Sequence, residues 1–106
     1  MNDFVELIGA SGAPYRYTAA VAQLPPAGGN FAIVRMHADG SWDLLRLGET
    51  NSLAAEAILE RGKALAEHGS AVRVFVRLNI SRRTRNTELT DLLAAYSRLL
   101  NVREPA

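Results

Sequence analysis

Apolar positions along this chain recur with two different periods, and the switches between them mark out the elements. Phe4–Ile8 and Tyr15–Val21 read as short strands, and the turn-rich Gly9-Ala10-Ser11-Gly12-Ala13-Pro14 between them predicts an N-terminal hairpin. Pro25-Pro26-Ala27-Gly28-Gly29 is a connector. Two more apolar runs, Phe31–Met36 and Trp42–Leu47, flank His37-Ala38-Asp39-Gly40-Ser41. Asp-Gly between such runs signals a second hairpin, because a tight turn needs positive φ and glycine supplies it without a steric clash. Over Asn51–His68 the period lengthens to that of a helix, capped by Thr50, Asn51 or Ser52 and stopped by Gly69. Ala54, Ala55, Ile58, Leu59, Gly62, Leu65 and Ala66 fall on one broad arc, and Glu56, Glu60, Lys63 and Glu67 fall opposite as a solvated row. Ala71–Leu78 returns to strict alternation, with Val72, Val74, Val76 and Leu78 on one face and Arg73, Phe75 and Arg77 on the other. Ser81–Asn86 reads as a basic loop. A last helix near Thr87–Leu100 carries Leu89, Leu92, Leu93, Tyr96, Leu99 and Leu100 as an apolar stripe.

The resulting order is four strands, a helix, a strand and a helix. It predicts a small α+β domain, a sheet packed with two helices. The 106 residues suit a single domain, with 1–24 as a hairpin extension and 28–101 as the core. A net charge of +1 provides no general drive toward nucleic acid or anionic membrane. The absence of cysteine excludes disulfides, thiolate chemistry and cysteine-bound zinc. No apolar run approaches the ~20 residues of a membrane helix, and no signal peptide is visible, so a cytoplasmic location is expected. His37 lies in a turn and His68 at a helix end, each too isolated to suggest a metal site or a triad. Ser11 lies between two strands, without the strand–elbow–helix setting a nucleophilic serine needs. The Gly28-Gly29 pair opens a strand, whereas a phosphate loop opens a helix whose free amides meet the anion.

Order and residues together resemble the GIY-YIG nuclease superfamily. Gly29-Asn30-Phe31 stands in the place of its GIY strand and Arg46-Leu47-Gly48 in the place of its YIG strand. Gly48-Glu49-Thr50-Asn51-Ser52-Leu53 is similar to the family's Gly-Gln-Thr-Asp-Asn-Leu continuation, and Leu92–Asn101 is similar to its closing segment. The N-terminal hairpin adds a Ser-Gly-x-x-Tyr opening found in a bacterial subset. The resemblance implies a three-stranded core with two helices and a metal-dependent phosphodiesterase chemistry. A hairpin tyrosine would help generate the nucleophile, a helix arginine would stabilise phosphate charge, and a glutamate on the last helix would hold one divalent metal.

Carried onto this sequence, those roles fall on residues unsuited to them. The GIY tyrosine becomes Phe31, with no hydroxyl, and the YIG tyrosine becomes Arg46, which is no base at neutral pH. The arginine becomes Glu56, a charge reversal, and the glutamate becomes Leu89, which has no ligand atom. A family histidine lands on Glu60. Glu88, one residue before Leu89, restores a carboxylate only if the register shifts, which rotates a helical side chain by about 100°. The expected function is therefore a non-catalytic, pseudo-nuclease module that binds an unknown protein partner or itself, with no cofactor. Phe31, Trp42, Arg46 and Leu89 form the candidate interface, being the aromatic, aliphatic and arginine types that anchor interfaces. The alternative is nucleic-acid binding through Arg73, Arg77, Arg82, Arg83 and Arg85, or a rearranged nuclease using magnesium or manganese.

Overall fold

The computed structural model describes residues 4–20 and 24–96. Its elements are strands β1 (Phe4–Ile8), β2 (Pro14–Ala19), β3 (Gly29–Met36) and β4 (Trp42–Thr50), helix α1 (Leu53–His68), strand β5 (Val72–Leu78) and helix α2 (Arg82–Tyr96). The predicted Val21, Leu99 and Leu100, and with them the ends of the hairpin extension and of the core, lie outside the described residues.

All five strands join one antiparallel sheet in the order β1-β2-β5-β3-β4. The α+β class expected from the pattern is what the chain adopts. At the β3–β4 turn, Asp39 Oδ1 accepts from the Ser41 amide (2.9 Å) and hydroxyl (2.6 Å), and Gly40 takes φ 92°. Leu45 is an extra residue on β4, because Ile33 pairs with Arg46 while Val34 pairs with Leu44. Such a bulge twists an edge strand away from further pairing. At the other edge, the Tyr96 hydroxyl accepts the Ile8 amide at 3.0 Å and so caps one free donor of β1.

Alternation sends side chains to both faces of the sheet, and each face has its own helix. On one, Phe31, Ile33, Leu45, Val72, Val74 and Val76 pack against Leu53, Ala57 and Ala64 of α1. On the other, Val5, Leu7, Tyr17, Ala32, Val34, Leu44 and Phe75 pack against Leu92 of α2. Burial on both faces explains why β3 reads as a continuous apolar run rather than an alternating one.

Ser52 caps α1 by accepting the Ala55 amide at 3.4 Å, while the Leu53 and Ala54 amides donate to the connector carbonyls of Ala27 and Pro25. Gly69 ends the helix as expected, its amide donating to the Leu65 carbonyl at 2.9 Å. The face of α1 differs from the expected one. Leu53, Ala57 and Ala64 are buried, whereas Ile58 and Leu59 are 57% and 58% exposed. The arc that meets the sheet also carries Glu60, whose Oε1 lies 3.6 Å from Arg46 Nε of β4. The basic loop expected at Ser81–Asn86 is corrected too. Ser81 caps a helix that starts at Arg82, its hydroxyl accepting the Thr84 amide at 3.3 Å, and arginine is a good helix former.

Candidate functional site

Few apolar side chains hold α2 to the sheet; its inward positions Arg85, Glu88 and Asp91 are charged, and the strands beneath supply polar partners. Residues with even numbers on β3 and odd numbers from Arg77 onward on β5 share this face. That places Asn30, Arg77 and Asn79 under the helix, with Glu49 beside them at the end of β4.

Arg85 is at the centre, 2% exposed. Its Nε donates to Glu49 Oε1 at 2.9 Å and its Nη2 to Asn51 Oδ1 at 2.7 Å. Its Nη1 donates to the carbonyls of Asn79 (3.1 Å) and Ile80 (2.8 Å), which closes the loop before α2 around the guanidinium. Gly28 lines the same spot, and a Cβ there would collide with Arg85 Nη1. Gly28 thus makes room for a buried arginine, while a Cβ at Gly29 would meet the Arg77 carbonyl and Leu53. Fully buried Asn30 donates to the Arg85 carbonyl at 3.2 Å and accepts from Asn79 Nδ2 at 3.1 Å.

Asn79 also donates to Glu88 Oε1 at 3.1 Å, linking this cluster to the next. Glu88 receives Arg77 through Nε at 2.9 Å and Nη2 at 3.3 Å, a two-point pairing in which both carboxylate oxygens are taken. That pairing raises the Arg77 pKa above its ordinary value. Arg77 also lies over the Tyr15 ring, 5.5 Å from its centre. The Tyr15 hydroxyl donates to Asp91 Oδ2 at 2.8 Å, and the Ser11 hydroxyl and amide donate to the same carboxylate at 2.7 and 2.8 Å. The Ser11 hydroxyl, its amide and then Tyr15 lower the Asp91 pKa, while the bond to Asp91 raises that of Tyr15. The Ser-Gly-x-x-Tyr opening is therefore a clamp on α2. The Tyr17 hydroxyl, buried without a hydrogen-bond partner, feels Glu88 and Arg77; burial first and Glu88 second raise its pKa.

The polar groups of this cluster are paired with one another. Each of the three carboxylates accepts hydrogen bonds from this cluster: Glu49 from Arg85, Glu88 from Arg77 and Asn79, and Asp91 from Ser11 and Tyr15. Ser11 donates to Asp91 directly, with no imidazole between them to take a proton. Among the described residues no group of three or more histidine, aspartate or glutamate side chains is placed to hold a metal ion.

No family model, no curated protein and no solved structure matches this chain.

The residues singled out from the sequence separate in space. Phe31 is buried under α1, and Arg46 faces α1 as well, with Nη2 3.1 Å from Glu67 Oε1 and Nε 3.6 Å from Glu60 Oε1. Trp42 packs with the α2-side cluster, and Leu89 belongs to α2. The expected interface of Phe31, Trp42, Arg46 and Leu89 is thus split between two faces of the sheet and forms no single patch. Glu56 is exposed on α1. Of the arginines proposed for phosphate contact, Arg77 and Arg85 are corrected, being tied to Glu88 and Glu49 beneath α2. Arg73 is half-buried on β5, and Arg82 and Arg83 are exposed in the first turn of α2. Sequence reasoning missed Asn30, Glu49, Asn51, Asn79 and Asp91. The signal available was spacing: Arg85, Glu88 and Asp91 follow one another at three-residue intervals, which puts them along one side of a helix.

Proposed function

We propose that this chain is a non-catalytic, GIY-YIG-like module that works by binding a protein rather than by cleaving a phosphodiester. The observation that carries the reading is the state of Glu88, the one carboxylate beside the position the resemblance gives to the metal ligand. Both of its oxygens already take Arg77, and one also takes Asn79. A divalent ion would have to displace a charge-assisted pair that also anchors α2. Further support comes from the other positions. Phe31 has no hydroxyl and is buried, Arg46 is paired to two glutamates, Glu56 offers repulsion to phosphate, and Leu89 has no ligand atom. The order β3-β4-α1-β5-α2, with β3 between β4 and β5, is compatible with the core the resemblance implies. Among the described residues no helix is long and apolar enough to cross a membrane, and the reading is of a cytoplasmic protein.

Incubating supercoiled plasmid with the protein and magnesium or manganese tests this directly. No nicking is expected from the wild-type chain. Metal-dependent nicking that disappears in Glu88→Ala would show a working nuclease and overturn the proposal. Nucleic-acid binding without cleavage is tested in the same samples by mobility shift, where steep salt dependence would mark phosphate contacts from Arg82 and Arg83.

A further inference from the structure

The shortest ladder in the sheet is the one that joins the β1–β2 hairpin to the other strands. β3 runs along β5 from Gly29 opposite Leu78 to Arg35 opposite Val72. Among the described residues, β2 meets β5 at Thr18 opposite Val76 and at Ala19 opposite Phe75, and the Ala20 amide donates to the Val74 carbonyl at 2.9 Å just beyond. The apolar layers divide in the same way. None of the buried residues in the α1-side cluster comes from β1 or β2, whereas Val5, Leu7 and Tyr17 all belong to the α2 side. The rest of the hairpin's hold is polar. The Ala10 amide donates to the Asp91 carbonyl at 3.0 Å, Ser11 and Tyr15 donate to the Asp91 carboxylate, and the Ile8 amide donates to the Tyr96 hydroxyl. Ala10 and Ser11 are exposed, so water readily replaces their bonds. The Tyr17 hydroxyl, buried without a partner, gains one on meeting water, which lowers the cost of opening. Meanwhile Arg85 and Glu88 tie the first half of α2 to Asn30, Glu49 and Arg77 with no help from the hairpin.

We propose that the β1–β2 hairpin is a strap that opens as one unit while β3, β4, β5 and α1 stay folded, with Asp91 as its latch. Opening uncovers the β5 edge at Val74 and Val76 and the apolar surface around Phe75 and Leu92, both covered in the closed chain. Sub-global openings of this kind take the segments with the fewest links to the remaining fold. A two-stranded hairpin released from its sheet is marginal on its own, so its amides lose protection when the strap opens.

Native-state hydrogen exchange of the full chain, followed amide by amide at neutral pH by NMR, tests the inference. After correction for intrinsic rates, the protected amides of β1 and β2 are expected to exchange together and about tenfold or more faster than those of β3. Ile33→Val trims the α1-side cluster, which the open state retains; it is expected to speed β3 exchange about fivefold and to leave β1 and β2 unchanged. Asp91→Asn weakens a contact that the open state has already lost, so exchange in β1 and β2 is expected to rise about threefold. Hairpin amides that exchange no faster than those of β3 overturn the proposal. So do hairpin amides that Ile33→Val speeds as much as it speeds β3, because the hairpin then leaves only when the whole chain unfolds. Hairpin exchange untouched by Asp91→Asn overturns the latch.

Discussion

The two helices are held to one sheet by opposite means. α1 lies on Phe31, Ile33, Leu45 and three valines of β5 through Leu53, Ala57 and Ala64, a contact of methyl groups and one ring. α2 is held at Leu92 by the second apolar cluster, but Arg85, Glu88 and Asp91 meet Glu49, Asn51, Asn30, Asn79, Arg77, Tyr15 and Ser11 through directed hydrogen bonds. Apolar burial scales with area and tolerates small shifts. A network of charge-assisted bonds does not, because a displacement that breaks one bond leaves a buried partner unsatisfied. The difference teaches that charge beneath a helix can be an architectural device. On the α2 side it sets where the helix sits along the sheet and locks the β1–β2 hairpin to it through Ser11 and Tyr15.

Arg85→Ala should break this contrast most severely. It leaves Glu49, Asn51 and two backbone carbonyls without their donor, for a loss of about 3 kcal/mol or more in urea unfolding. Adding Glu49→Ala should cost far less than the sum of the two single changes, with a coupling of about 1–3 kcal/mol. Additive effects would show that the two residues act independently. Leu53→Ala, in the fully buried centre of the α1 contact, should cost about 2–4 kcal/mol by cavity formation. Its cost should not vary between pH 3 and pH 7 in the way that charge-based contacts do, a range of about four units around the carboxylates.

The mildest change is expected from Asp91→Asn. Its donors lower the Asp91 pKa from the ordinary value of 3.8, so the folded chain binds that proton less readily than the unfolded one. The contribution is complete above that ordinary value and fades as pH falls through the lowered one. Asp91→Asn should therefore flatten the acid limb of the stability curve, while the neutral-pH midpoint falls only slightly, as thermal melts across acid pH would show.

The strands were legible because alternation is a local signal. Val72, Val74 and Val76 do share a face, and Asp39-Gly40 does make the turn. The pairing of β2 with β5 was not legible, since it joins Thr18 to Val76 across most of the chain and no local pattern encodes it. The helix faces misled for two separate reasons. On α1 Ile58, Leu59 and Gly62 of the expected arc point outward, whereas Leu65 packs against the core beside Leu53, Ala57 and Ala64, which meet the sheet. On α2 the arginine-rich start read as a basic loop, although Arg85 is enclosed by groups from two stretches, Glu49–Asn51 and Asn79-Ile80, that only the fold brings together. The candidate site was hidden for the same reason. Asn30, Glu49 and Asn79 are single polar residues at the ends of strands, and their meaning lies in being neighbours.

If the charges beneath α2 are architecture, Glu88 holds the helix through Arg77 and Asn79 and binds no metal. Thermal unfolding of the wild-type chain and of Glu88→Ala, each with and without manganese, separates the two roles. Glu88→Ala should lower the midpoint, from the loss of its bonds with Arg77 and Asn79, and neither protein should shift with the metal. A manganese-dependent rise in the wild-type midpoint that Glu88→Ala abolishes would contradict it, and would make the same carboxylate a metal ligand.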